Sequence, residues 1–525
     1  MKSTASVQED SRRTYPLRKL AVGSSARVLH LLLLTAIGFT LTPFTIHSLG
    51  AQQYGIWVLV NSFIGYYSLL DLGLSGAIFT HMSHAIGARD NETANHIYGT
   101  GLSIFSALGG ILVIATLGLA AVMLLSNIDH GAKLAIVVLI VGIQTAISFP
   151  MRAPFGVLNA GSHFEVTYLV LILSAILRTL GTIIVLRAGK GVVGLAVVNL
   201  LSWIPSYILV CAAVHWTYPF IRTRSLRMWH KPTAEKLVRF GVPVLVGQIA
   251  DRIRLQTDVI IVSLFIGLNA VTHYNIATTL VMYYMDGIIA IIGVLTPVLS
   301  MQMGARDIDG MKQSLFTGTR LAICTGGFFA FGLLLWGKTF ITCWMGSQYQ
   351  DAYPVLAVLT VAMFIDLWQS TAVSALYATM HQKTYAKINI SEAALNCILS
   401  LLLARPLGML GVAIGTLIPS IVVRVFIQPL VIERKLGIPA RDYCLSSLRT
   451  ATRTILCLII PFAITILLLK PAYTSLVLVG ILSTITYALP VWYFEFQMSG
   501  RNRIQSFVRR RLRRHSTVAT DAPCP

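Results

Sequence analysis

Fourteen apolar segments follow one another along the chain, at about 28–49, 54–79, 98–126, 133–158, 165–186, 191–213, 238–267, 275–302, 315–337, 353–379, 385–404, 408–432, 452–470 and 474–496. Short polar loops separate them. An α-helix needs about 20 apolar residues to cross a bilayer core, whereas a barrel strand needs only about 9–11 alternating ones. In lipid the backbone must satisfy its own hydrogen bonds, and runs of this length do so as helices. The pattern predicts an all-α polytopic membrane protein of about 14 transmembrane helices. The first apolar run has no small-residue cleavage site, so it is expected to be a retained span and not a signal peptide.

Composition agrees with this pattern. Of 525 residues, 55% are apolar and 12% charged, against about 25% charged in soluble domains. Lys and Arg outnumber Asp and Glu by 41 to 20. In a soluble chain that excess would suggest nucleic acid, but no nucleic-acid motif accompanies it and no such partner is expected. The basic residues gather in the N-terminal tail, the loop after span six, the loop after span twelve and the C-terminal run RRRLRR at 509–514. These four regions share one side if every span crosses once. Positive loops mark the cytoplasmic side, so both termini are expected in the cytoplasm. The seven cysteines are scattered without a C-x-x-C pair, and they predict neither a metal site nor a disulfide framework.

A repeat lies beneath the span pattern. Gly50 closes span one and GARD follows at 87–90; Gly267 closes span seven and GARD follows at 304–307, at the same interval. A Thr-Gly pair recurs at the same offset, at 100–101 and 317–318. Copies six spans apart have the same orientation. They predict two six-helix lobes related by a pseudo-two-fold axis along the membrane normal, with a site between them. The expected organisation is a cytoplasmic tail (1–27), a first lobe (28–213), a basic linker (214–237), a second lobe (238–433), two additional C-terminal helices (452–497) and a basic tail (498–525).

The first hairpin carries a more specific signal. Leu49-Gly50, then Tyr54-Gly55-Ile56-Trp57, then LLDLGL at 69–74 form one motif series, and the second half carries FGVPVLVGQIADRIRLQTDVIIVSLFIG at 240–267 followed by Tyr274. This arrangement resembles the polysaccharide-transport branch of the multidrug/oligosaccharidyl-lipid/polysaccharide exporter superfamily. The resemblance implies a flippase that carries a polyprenyl-diphosphate-linked oligosaccharide across the membrane by alternating access. It also implies polysaccharide polymerase and glycosyltransferase partners, and a lipid-tail groove along the last two helices. A cation-coupled drug exporter of the same superfamily is the alternative, though it usually has twelve spans. A membrane polymerase or transferase is more remote: no nucleophile–base pair stands out, and the longest outer loop is short. No enzymatic activity and no cofactor are expected.

Ionisable residues inside spans single out the candidate site, because each costs about 2.5–3.5 kcal/mol at a helix centre. Span seven carries Asp251, Arg252, Arg254 and Asp258; unpaired, the four would cost on the order of 10–14 kcal/mol. Asp251, Arg254 and Asp258 share a helix face and could form a ladder. With the resemblance, Arg252 or Arg254 is expected to meet the diphosphate; lobe packing by ion pairs is the alternative. Arg152, Arg178 and Arg424 are further candidates, since an Arg fork suits a diphosphate. Snorkelling, or pairing with a carboxylate such as Asp366 or Glu392, is their alternative. Asp71 and Asp286 fall at nearly equivalent repeat positions and could carry a coupling H⁺ or Na⁺, or could be helix-end carboxylates bonded to neighbouring hydroxyls. Asp307-Ile308-Asp309 matches a D-x-D metal motif but lies in a short loop, and no metal is expected there. The C-terminal basic run is expected to contact anionic membrane lipid.

Overall fold

The computed structural model describes residues 17–125, 131–221, 229–293, 295–379 and 381–468, with 483, 484, 486 and 487. The rest of the fourteenth expected span, residues 1–16 of the N-terminal tail and the whole C-terminal basic tail lie outside the described residues. Among the described residues there are helices and turns and no strand. In order they are α1 (Leu17–Gly65), a 3₁₀ turn (Tyr66–Asp71), α2 (Leu74–Ala88), α3 (Asn91–Leu125), α4 (Gly131–Ala160), α5 (Phe164–Arg187), α6 (Gly191–Thr217), α7 (Lys231–Phe265) and α8 (Leu268–Ile292). There follow α9 (Leu295–Gly304), α10 (Ile308–Met345), α11 (Ala352–Ala378), α12 (Gln382–Ser420), a π-helical turn (Ile421–Ile427), α13 (Gln428–Leu436) and α14 (Ala440–Leu468).

Nine described stretches are long and apolar enough to cross a membrane. Two of them, Leu29–Asp71 and Lys383–Leu436, each hold two expected spans joined at a glycine. Gly50 (φ 76°, ψ 162°) and Gly408 (φ 59°, ψ −142°) leave helical geometry there, and only a residue without Cβ adopts such angles at little cost. With α7 and α14, which have 35 and 29 residues, the first thirteen expected spans coincide with described helices. Outward faces are apolar, as in Ile114 and Leu125 of α3 at 71% and 85% exposure. The chain is therefore a multi-pass α-helical membrane protein.

Two spans expected as continuous are interrupted. The second breaks after Asp71, where Leu72 (φ 50°) and Gly73 (φ 71°) are both left-handed. The eighth stops at Ile292 and resumes as α9. Apolar periodicity does not register such breaks, because the residues on either side remain apolar.

The chain forms two compact units: Met1–Asn275 with Ala404–Met409, and Ile276–Leu403 with Leu410–Pro525. In the first, α7 packs on α1, α2 and α3. That contact is close, since a Cβ at Gly241 would run into the carbonyl oxygen of Leu72. The core of the first unit is built by α2, α3, α4 and α6, around Ile78, Phe105, Phe149 and Val210. A core of the second unit gathers Leu315, Ala372, Ile432 and Tyr443.

The repeat is visible in backbone detail. In both GARD segments the arginine, Arg89 and Arg306, has φ 56°. Arg89 N–H donates to Ile86 and Asp90 N–H to Ala85; Arg306 N–H donates to Met303 and Asp307 N–H to Gln302. Both aspartates then cap the next helix. Asp90 accepts from Thr93 N–H at 2.9 Å, and Asp307 accepts from Gly310 N–H at 2.8 Å. The D-x-D match is thus a helix N-cap. The Gly50–Gly267 pair keeps this register, and it extends to a joint the motif search did not include: Gly191 (φ 61°) matches Gly408 (φ 59°).

Candidate functional site

Within the first unit, the break in span two places Asp71 at the end of its 3₁₀ turn, 6% exposed. Arg152 of α4 reaches it, Nη1 to Oδ1 at 2.6 Å. Ser75, the second residue of α2, donates to the same oxygen at 2.6 Å. The Arg152 guanidinium lies over the Phe149 ring, 4.1 Å from its centroid. Phe149 and Arg152 are three residues apart on α4, so ring and cation share a face. Asp71 and Arg152, expected as separate candidates for cation and diphosphate, are thus partners of each other. The helix-end hydroxyl bond considered for Asp71 is also present.

Arg178 of α5 is in a different situation. It lines a cavity of about 180 Å³ with His30 and Leu34 of α1 and Ser202 and Trp203 of α6. Among the described residues no carboxylate lies within ion-pair distance of it. The cavity edge also carries Ser174, whose hydroxyl is hydrogen-bonded to Ser206. An always-charged, half-buried guanidinium beside hydroxyls and an indole is suited to an anion with several acceptor oxygens.

In the second unit a buried polar network surrounds Arg424. Nε lies 3.2 Å from Asp366 Oδ1 and Nη2 lies 2.7 Å from Glu392 Oε2. Nη1 donates to Gln428 Oε1 at 3.0 Å, and Nη2 also donates to Asn389 Oδ1 at 3.1 Å. The Tyr385 ring faces the guanidinium at 5.5 Å. The network continues through Gln428 to the Gln369 carbonyl, and Tyr443 donates to Gln369 Oε1 at 3.0 Å. Arg424 sits in the π-helical turn and is 3% exposed. π turns widen a helix by one residue and frequently mark functional positions. A guanidinium engaged on all three nitrogens has little capacity left for a substrate. The pairing with Asp366 and Glu392 weighed from the sequence is therefore the arrangement found. Two carboxylates on one arginine leave a formal charge of −1 when both are ionised.

The span-seven candidates separate. Asp258 is buried and accepts from the Tyr274 hydroxyl at 2.9 Å. Arg252 is half-buried. The side chains of Asp251 and Arg254 lie outside the described residues, so the ladder joining them to Asp258 does too. Asp286 is exposed on the regular helix α8, while Asp71 is buried at a break. The two carboxylates at nearly equivalent repeat positions are thus in unlike surroundings, because only span two breaks beside its aspartate.

Sequence reasoning passed over the neutral members of the Arg424 network: Gln369, Asn389, Gln428 and Tyr443. A signal was present. Asp366 and Gln369, Asn389 and Glu392, and Arg424 and Gln428 each recur three or four residues apart inside apolar runs, which stacks each pair on one helix face.

The lipid II flippase MurJ, in an inward closed conformation, has a TM-score of 0.67 to this chain at 16% identity, covering 91% of this chain and 99% of MurJ. An inward-facing multidrug resistance MATE family transporter of the MOP superfamily has 0.66 at 17%, covering 76% of this chain and 94% of that one. These likenesses establish a shared fold. In sequence, the uncharacterized membrane protein EpsK of Bacillus subtilis is 22% identical over 520 residues, 94% of this chain and 98% of EpsK. A Shigella flexneri protein named for O-antigen transport is 24% identical over 401 residues, 73% of this chain and 90% of its own length. Residues 49–354, more than half of the chain, match the family described as polysaccharide biosynthesis protein; with the repeat and the fold on the page, the chain belongs to that family.

Proposed function

We propose that this protein is a flippase. It moves a polyprenyl-diphosphate-linked oligosaccharide repeat unit across the bacterial inner membrane by alternating access, with both termini in the cytoplasm, for surface polysaccharide biosynthesis. Family membership, the relative named for O-antigen transport and the fold shared with a lipid II flippase support transport of a lipid-linked glycan over catalysis. A polymerase and glycosyltransferases would act on either side of this step.

The observation that carries the reading is the Arg178 cavity. An intramembrane arginine costs several kcal/mol unless it is paired or faces a cavity; Arg178 lines a cavity walled mainly by Leu34, Leu171, Ala175 and Trp203, with Ser174, Ser202 and His30 as its other polar groups and no carboxylate among the described residues. At about 180 Å³, the cavity is smaller than the ~300–1,000 Å³ of drug-sized sites. It suits a diphosphate, while the glycan would lie outside it. Arg252 is a second cation for the same substrate, and a coupling H⁺ or Na⁺ would be taken by carboxylates of the network, Asp258 or Asp286.

Flipping of a fluorescent polyprenyl-diphosphate oligosaccharide in proteoliposomes tests this. Arg178→Ala should lower the initial rate by about 10- to 100-fold, the loss expected for a charged hydrogen-bonding group, while insertion and yield stay at wild-type levels. Arg178→Lys should recover part of the rate. An unchanged rate in Arg178→Ala would remove the diphosphate role. Cation-driven efflux of small drugs with no flipping by the wild type would replace the flippase with the exporter.

A further inference from the structure

The second unit contains a cavity that the transport reading does not use. It measures about 460 Å³ and opens between α10 and the start of α14. Arg320 of α10 and Arg449 and Arg453 of α14 line it, with Asp442, Ser446 and Thr450. Three guanidiniums face one carboxylate, so the lining is net positive, and the Ser446 hydroxyl adds a neutral donor, while the Thr450 hydroxyl donates to the Ser446 carbonyl at 3.1 Å. Residues 442, 446, 449, 450 and 453 recur every three or four positions, which aligns them along one face of α14.

Beside that polar face runs an apolar one. Leu445, Leu448, Ile455, Leu456 and Ile459 are 40–61% exposed, and at 100° per residue they form the adjacent stripe of the same helix. In a membrane span, exposed Leu and Ile face acyl chains. A cationic slot bordered by a lipid-facing strip matches an amphiphile: phosphate in the slot, hydrocarbon along the strip. A free phosphate would use the arginines and leave the strip without a role.

We propose that Arg320, Arg449 and Arg453 bind the headgroup phosphate of an anionic membrane lipid at the entry of span thirteen. Arg is suited to this because its planar fork bonds two phosphate oxygens at once. Arg449 and Arg453 are exposed on the helix surface, so their replacement leaves the fold's buried contacts intact. The site is separate from the Arg178 cavity and stands whether or not the protein flips a glycolipid.

Native mass spectrometry of the full-length protein in detergent, titrated with phosphatidylglycerol, phosphatidylcholine or sodium pyrophosphate, tests the proposal. The wild type should retain phosphatidylglycerol and release phosphatidylcholine. Arg449→Ala with Arg453→Ala should weaken phosphatidylglycerol binding about 10-fold or more, since each basic side chain near a lipid phosphate contributes several-fold. Arg434→Ala with Arg441→Ala, on the same basic stretch but outside the cavity, should leave it unchanged. Should the double alanine variant not fold, Arg453→Gln alone should still weaken binding about 3-fold or more. Equal phosphatidylglycerol affinity in wild type and cavity variants would overturn the site. Pyrophosphate binding as tightly as phosphatidylglycerol would overturn the lipid as its occupant.

Discussion

Arg424 and Arg178 carry the same charge inside apolar segments, and their surroundings give them different tasks. Arg424 is enclosed by Asp366, Glu392, Asn389 and Gln428. Removing one member of such a buried pair leaves an uncompensated charge, which costs about 3–5 kcal/mol. Arg424→Ala should therefore lower the thermal midpoint and yield in detergent strongly, and Arg424→Lys should restore little because an ammonium cannot reproduce the fork. Arg178→Ala should leave the midpoint near wild type, its defect appearing in transport. Measuring both melting curves side by side separates the roles; a large destabilisation by Arg178→Ala would place that side chain among the structural ones. Asp71 and Arg152 belong with Arg424 in this respect. Asp71→Asn should destabilise before it uncouples, and only flipping that persists and still collapses with the ion gradient rules out Asp71 as the essential carrier.

At the scale of elements, the joints decide the architecture. Gly50 and Gly408 hold backbone angles in a region that is essentially confined to glycine, where an L side chain costs of order 1–3 kcal/mol. Gly50→Val and Gly408→Val should each lower stability by about that amount, read from denaturation in detergent. Gly241→Val should be worse, because its side chain would meet the carbonyl of Leu72. The GARD caps give a pH dependence. Hydrogen bonds from the Thr93 hydroxyl and backbone hold the exposed Asp90 carboxyl below its usual range. Because the folded value is depressed, the cap contributes fully above the ordinary carboxylate range and is lost as pH falls through the depressed value. Protection of the amides at the start of α3, taken relative to their intrinsic exchange rates, should drop over that fall. In Asp90→Ala protection should be low throughout and lose that added acid response.

At the scale of the molecule, the span count and the charge of the loops make an orientation testable. Reporter fusions after Gly437 and at the C-terminus should be active only for a cytoplasmic-type reporter, and a fusion at Gly189 only for an exported type. Opposite results at Gly189 would mean that one of the first five spans does not cross. Much of this scale was legible in the chain. Thirteen expected segments fall on described helices because each crossing is a local property: twenty apolar residues in lipid have one way to satisfy their backbone. The repeat was legible in part. GARD and the LG/IG glycines survive as letters, while the Gly191–Gly408 match is carried by backbone angles and two glycines that the motif search passed over.

The candidate site was legible only as an inventory. Its costly residues are rare in apolar runs and stand out one by one: Asp71, Arg152, Arg178, Asp258, Asp286 and Arg424. Which of them meet is set by packing between helices distant in the sequence, through interactions that leave no local periodicity. Asp71 and Arg152 are 81 positions apart and ion-paired at 2.6 Å. Asp366, Glu392 and Arg424 lie on three different helical segments and converge on one guanidinium. The sequence by itself determined the membrane class, the crossings and the joints, because lipid imposes those on each segment separately. Only the tertiary structure decided which charges neutralise one another and that Arg178 opens onto a cavity, because charge pairing depends on distances that the order of residues does not contain.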